Sequence, residues 1–120
     1  MKSLKLILKR KWFDMISDGY KTEEYRELKS YYLHRLFQMT NGGKIDEMLI
    51  NEPRYIPILK KAIEMKAFIC KHTHVTFYCG YQAGRDEMVR EIESIRIGEG
   101  KPEWGAEPGK LYFVIRLKQN

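Results

Sequence analysis

Lys21, Thr22, Glu24, Tyr25 and Arg26 stand together in the decapeptide GYKTEEYREL, Gly19 to Leu28. Two cations, a carboxylate, a hydroxyl and an aromatic ring are the components of a polar binding cleft. A carboxylate accepts from the amino groups of a base edge, and a guanidinium forks onto phosphate or a carbonyl. From Lys21 to Glu27 the only large apolar surface is Tyr25. The segment therefore reads in three ways: a solvated edge whose charges block aggregation, the first turns of a helix, or the floor of a cleft. As a helix, Thr22 caps it and Tyr25, Leu28, Tyr32 and Leu36 form its apolar stripe. As a strand, it sends Thr22, Glu24 and Arg26 to one face and Lys21, Glu23, Tyr25 and Glu27 to the other. Lys21, just after Gly19, then sits at the mouth of the cleft.

Other residues could serve the same chemistry. Tyr25, Tyr78 and Tyr81 could stack nucleobases, with Arg85 and the run Lys9-Arg10-Lys11 for phosphates. Cys70, His72 and His74 share a face of an extended chain, but no second pair of ligands follows at metal spacing, so no metal site is expected. The glycines at 98, 100, 105 and 109 fit neither a phosphate-cradling loop nor a dinucleotide fingerprint, so no cofactor is expected. No serine or cysteine stands in a recognisable nucleophile context.

The elements that must position these groups belong to one domain, residues 1–120, large enough to bury a core without staples. With 43% apolar and 32% charged residues the chain has the make-up of a globular protein, and disorder is excluded as its default. The net charge of +6 suits a polyanionic partner as well as a plain lysine-rich surface. Lys5 breaks the early apolar run, and no segment reaches the roughly 20 apolar residues that span a bilayer, so no membrane association is expected. Cys70 and Cys79 read as reduced thiols of a cytoplasmic protein.

Leu4, Leu6 and Leu8 alternate in a first strand, and Trp12, Phe13 and Ile16 share a face of a helix over Lys11 to Asp18 that Gly19 closes. In the strand reading of the decapeptide, Ser30 caps a helix from Tyr31 to Gln38. Asn41-Gly42-Gly43 is a turn, Lys44 to Asn51 is weakly helical, and Pro57 opens a helix to about Lys66 that buries Ile58, Leu59, Ala62 and Ile63. Strands follow over Lys71 to Cys79, Met88 to Ile97 and Leu111 to Lys118, the last two separated by a long ordered turn. On Met88 to Ile97, Val89, Glu91, Glu93, Ile95 and Ile97 are expected on one face. The outline is α+β, a small curled sheet or barrel of about five strands with helices at its periphery.

The order of strand, aromatic-bearing helix and G-x-K-x-x-E-x-R resembles the ASCH domains of the PUA-like superfamily. Here it reads Leu4 to Leu8, Trp12-Phe13, then Gly19, Lys21, Glu24 and Arg26; HVTFYCGY, His74 to Tyr81, and KPEWG, Lys101 to Gly105, agree with it. Residues 39–69 have no counterpart in the resemblance. It implies a PUA-like barrel with a cleft lined by the decapeptide strand, binding RNA or a modified nucleoside. Lys21 and Arg26 would engage carbonyl or phosphate oxygens, Glu24 an exocyclic amine, and Thr22, Tyr25, Tyr78, Tyr81 and Arg85 would complete the site. Some members deacylate N4-acylated cytidine with a lysine, a threonine three residues later and a distant glutamate. Those positions correspond to Lys21, Glu24 and Glu91, while Thr22 is displaced by two. With Glu24 in place of the threonine, such a hydrolase would need water as nucleophile, Glu24 or Glu91 as general base, and Lys21 to polarise the carbonyl. A protein-interaction domain without a ligand is the third expectation.

Overall fold

In β1, Ser3–Leu8, every second side chain is apolar, and Leu4, Leu6 and Leu8 are buried as that alternation requires. The computed structural model describes residues 2–119. α1, Arg10–Ser17, follows and buries Phe13 and Ile16. Gly19 ends it at a φ of 85°, a left-handed conformation that glycine adopts without steric cost. The Lys21 N–H then donates back to the Met15 carbonyl at 3.0 Å, which turns the chain toward β2, Glu23–Glu27. The decapeptide is thus a strand, not the start of a helix.

Next come α2, Ser30–Leu36, β3, Phe37–Met39, α3, Met48–Asn51, a 3-10 turn at Pro53–Tyr55, and α4, Ile56–Glu64. β4, Phe68–Cys70, β5, His74–Cys79, β6, Glu87–Glu99, and β7, Leu111–Leu117, complete the chain, with a 3-10 turn at Pro102–Trp104. Three expectations fail in this region. The helix expected to run to Gln38 ends at Leu36, and Phe37 and Gln38 belong to β3. Ser30 makes no capping bond; its hydroxyl donates to Glu47 Oε1 at 2.7 Å. Ile58 is 55% exposed, because α4 packs only a narrow face carrying Leu59 and Ile63.

A mixed five-stranded sheet in the order β1-β5-β6-β7-β2 forms a curled half-barrel, and β3 pairs with β4 in a separate two-stranded sheet. Only β1 and β5 run parallel in the larger sheet. Its two edges are β1 and β2.

β6 departs from the simple alternation expected of it. A bulge between Ile92 and Ser94 shifts the register against β7 by one residue. Met88 and Ile92, on even positions before it, and Ile95 and Ile97, on odd positions after it, therefore all pack on the same core. The assignment of Val89, Glu91, Ile95 and Ile97 to one face fails for this reason.

β7 is buried on both faces. Phe113, Ile115 and Leu117 join the main core, whereas Tyr112 and Val114 form a second cluster with Ala106 and the Tyr25 ring. The turn after β6 folds over this second face. A Cβ on Gly100 would lie 2.6 Å from Tyr25 ring atoms and 2.7 Å from the Ala106 methyl, so only glycine fits there.

Candidate ligand-binding site

The register of β2 with β7 sorts the polar residues of the decapeptide onto two surfaces. Glu24 and Arg26 lie opposite Ile115 and Phe113 and so face the main core; Glu23 and Tyr25 lie opposite Arg116 and Val114 on the other face. Burying charge is tolerated only when it is paired and hydrogen-bonded. Here it is. Lys21 Nζ donates to Glu24 Oε1 at 2.9 Å and to the Glu23 carbonyl, and Arg26 Nη2 donates to Glu24 Oε2 at 2.7 Å. One carboxylate thus holds two cations.

Lys21 is 1% exposed. It precedes the strand and is not bound by its alternation, and its amine lies between the Glu24 carboxylate and the rings of Tyr25, at 5.0 Å, and Trp12, at 6.0 Å. It is not at the mouth of a cleft. Arg26 extends further, donating to the Tyr32 hydroxyl at 3.2 Å and to the Ile7 carbonyl of β1 at 3.3 Å. Its Nε is buried without a partner. Burial pulls the guanidinium pKa down, but the Glu24 charge and the Tyr32 bond outweigh it and raise the value.

On the other face, the Tyr25 hydroxyl donates to Glu23 Oε1 at 2.9 Å and accepts from the Lys101 N–H at 3.0 Å. Burial, with the Glu23 bond and charge, pushes the Tyr25 pKa well above its ordinary value. Arg96 approaches the second oxygen of Glu23 at 3.6 Å.

A hollow of about 430 Å³ lies along the free edge of β2. Tyr25, Arg26, Tyr32 and Tyr112 line it, with Lys29 and Lys110 among its cations. The Tyr25 and Tyr112 rings sit 5.7 Å apart, and Lys110 Nζ lies 5.2 Å over Tyr112. Glu27 pairs with Lys29 at 3.1 Å and Lys110 at 3.6 Å, and Lys29 followed by Lys110 holds its carboxyl below the usual range. Lys29, Tyr32, Lys110 and Tyr112 were not among the site residues expected from sequence. The signal for Tyr112 was the apolar second face of β7; Lys29 and Lys110 carried none, since their approach depends on the β2–β7 pairing.

The remaining sequence candidates are dispersed. Thr22 is half-buried, and its carbonyl accepts from the Leu117 N–H at 2.9 Å. Glu91 is exposed and pairs with Lys118 at 3.4 Å. Its strand neighbour Arg90 lines a small hollow with Lys21, so Glu91 points to the opposite face. Tyr78, Tyr81 and Arg85 surround a separate hollow of about 550 Å³ at the β5–β6 turn. There Arg85 stacks 4.1 Å over Tyr78 and Tyr81 is 82% exposed. At the start of α1, Lys9, Arg10 and Lys11 are exposed; Arg10 is held by Asp86 at 3.0 Å and Asp14 at 3.3 Å, and Lys11 stacks 4.8 Å over Trp12. His72 Nε2 faces the Arg35 carbonyl and His74 Nδ1 the Thr73 hydroxyl. Among the described residues no three His, Cys, Asp or Glu groups are placed to hold a metal ion. No helix among them is long and apolar enough to cross a membrane.

Comparison of the chain with protein-family models, with curated proteins and with solved structures finds no match.

Proposed function

We propose that this chain binds a nucleotide unit, free or within RNA, in the hollow along the edge of β2. The observation that carries this reading is Arg26. Its guanidinium is anchored by Glu24, Tyr32 and Ile7 and keeps a buried Nε without a partner, and the residue lines the hollow together with Tyr25, Tyr32 and Tyr112. Aromatic faces accept any base, and a fixed guanidinium favours phosphate or a carbonyl. Lys29 and Lys110 line the hollow with Glu27 and Glu107, and a phosphate would take them in competition with Glu27, to which both are paired. The resemblance to ASCH domains of the PUA-like superfamily supports the same ligand class.

In this reading Glu24 and Lys21 are positioning residues. Both Glu24 oxygens are occupied, so it orients Arg26 rather than meeting an exocyclic amine. Deacylation of an N4-acylated cytidine would ask a fully buried Lys21 to reach a substrate carbonyl, with Glu91 on another face. The binding reading asks for neither.

Titration of the protein with uridine and adenosine 5′-monophosphates and a short single-stranded RNA, followed by intrinsic fluorescence, tests the proposal. Saturable binding is expected, weakened about tenfold in Lys29→Gln/Lys110→Gln. The proposal is overturned if no mononucleotide or RNA binds, or if binding is unchanged in that variant and in Arg26→Lys.

A further inference from the structure

On the far side of α2 lies a second hollow, of about 660 Å³, whose lining contains no carboxylate. Lys5, Arg35, Lys71, His34 and His72 line it, together with the ring of Tyr31. Some cations at the surface face acidic partners, among them Arg10, Lys29, Lys110, Arg116 and Lys118. The cations of this hollow do not. Arg35 Nη2 donates to the Lys5 carbonyl at 2.9 Å and Nη1 to the Tyr31 hydroxyl at 3.4 Å; Lys71 Nζ donates to the His34 carbonyl at 2.7 Å. Neutral acceptors orient these groups and leave their charge uncompensated.

His34 is the exception, held by Glu47 at 3.0 Å outside the lining. The positive potential is felt by His72. Burial lowers its pKa first, and the charges of Arg35, Lys71 and Lys2 lower it further against the bond to the Arg35 carbonyl. Tyr31 is 61% exposed with the Arg35 guanidinium 5.4 Å from its ring, a surface on which a base can stack.

We propose that this hollow is a second nucleic-acid subsite, in which Lys5, Arg35 and Lys71 bind backbone phosphates of single-stranded RNA and Tyr31 stacks a base. The choice of RNA rests on the function proposed above; the phosphate chemistry rests on this hollow alone. The two sites meet across α2, where the Tyr31 and Tyr32 rings touch edge-on at 5.0 Å. A strand seated at Arg26 would continue over the helix into the second hollow.

Fluorescence anisotropy with a labelled oligouridylate across a salt series tests this, alongside titration with uridine 5′-monophosphate. Lys5→Gln/Lys71→Gln is expected to weaken RNA binding about tenfold and to reduce the salt slope by about 1.4, for two phosphates of single-stranded RNA. Mononucleotide affinity should be unchanged. Tyr31→Ala should weaken RNA binding without altering the slope. Lys5→Glu, a charge reversal at an exposed position, gives the same direction should Lys71→Gln fold poorly. Unchanged RNA affinity and slope in these charge variants would overturn the inference while leaving the Arg26 site standing. A charge-variant effect without any mononucleotide binding would support this subsite and count against the Arg26 site. If inorganic tripolyphosphate binds as tightly as RNA and Tyr31→Ala has no effect, the assignment to RNA falls.

Discussion

Glu24 has two counter-charges and each of those cations has one, so the three residues are not equivalent. Removing the Lys21 amine leaves the Glu24–Arg26 pair intact and vacates one bond to the Glu23 carbonyl. Removing the Glu24 charge strands a lysine whose side chain is fully buried. Loss of one partner of a buried pair costs about 3–5 kcal/mol because the remaining charge is uncompensated. Glu24→Gln is therefore expected to destabilise the protein by about that amount in urea denaturation, and Lys21→Met by distinctly less. Adding Lys21→Met to Glu24→Gln should recover stability; a further loss would contradict the asymmetry. The charged types at 21, 24 and 26 were legible in the sequence, and so was the shared face of Glu24 and Arg26. The burial of Lys21 was not, since a lysine outside the alternating stretch gives no sign of direction.

Elements with long, regular alternation were read correctly for physical reasons. β1 shows three leucines at period two, and Gly19 marks the end of α1 by the conformation it adopts. β3 and β4 have three residues each, too few to display a period, and exist because they pair with one another and pack Phe37 against Phe68 at 6.4 Å. The bulge in β6 leaves no sequence mark apart from a change in parity of its apolar positions. The turn after β6 offers the test at this scale. Gly100→Ala would drive a methyl into the Tyr25 ring and Ala106, both already packed, whereas at Gly98 the obstacle is the flexible end of Arg96. Gly100→Ala is expected to lower stability by about 1–3 kcal/mol, and Gly98→Ala by clearly less. Equal thermal shifts for the two variants would count against tight packing of the turn. Because Tyr25 borders the Arg26 hollow, Gly100→Ala should also weaken mononucleotide binding.

At the scale of the molecule, Arg26 spans the two edges of the sheet. It is rooted on β2 and donates to the Ile7 carbonyl of β1, so a side chain joins edges that the backbone leaves apart. A hydrogen bond from a charged donor contributes about 1.5–3 kcal/mol. Arg26→Leu is therefore expected to speed amide exchange about tenfold in the β1–β5 and β2–β7 pairings, with little change between β5 and β6. Uniform acceleration across the sheet would contradict a closing role. The curled α+β outline was legible from the count and order of alternating strands; the closure was not, because it depends on the register of strands distant in sequence. Arg26 is not alone at that edge. Arg35 donates to the Lys5 carbonyl, so two outward carbonyls of β1, two residues apart, are each occupied by a guanidinium. An exposed strand edge is a template on which other chains add and aggregates grow. The two arginines occupy hydrogen-bonding positions that an incoming strand would need, and so disfavour the addition of another chain along β1.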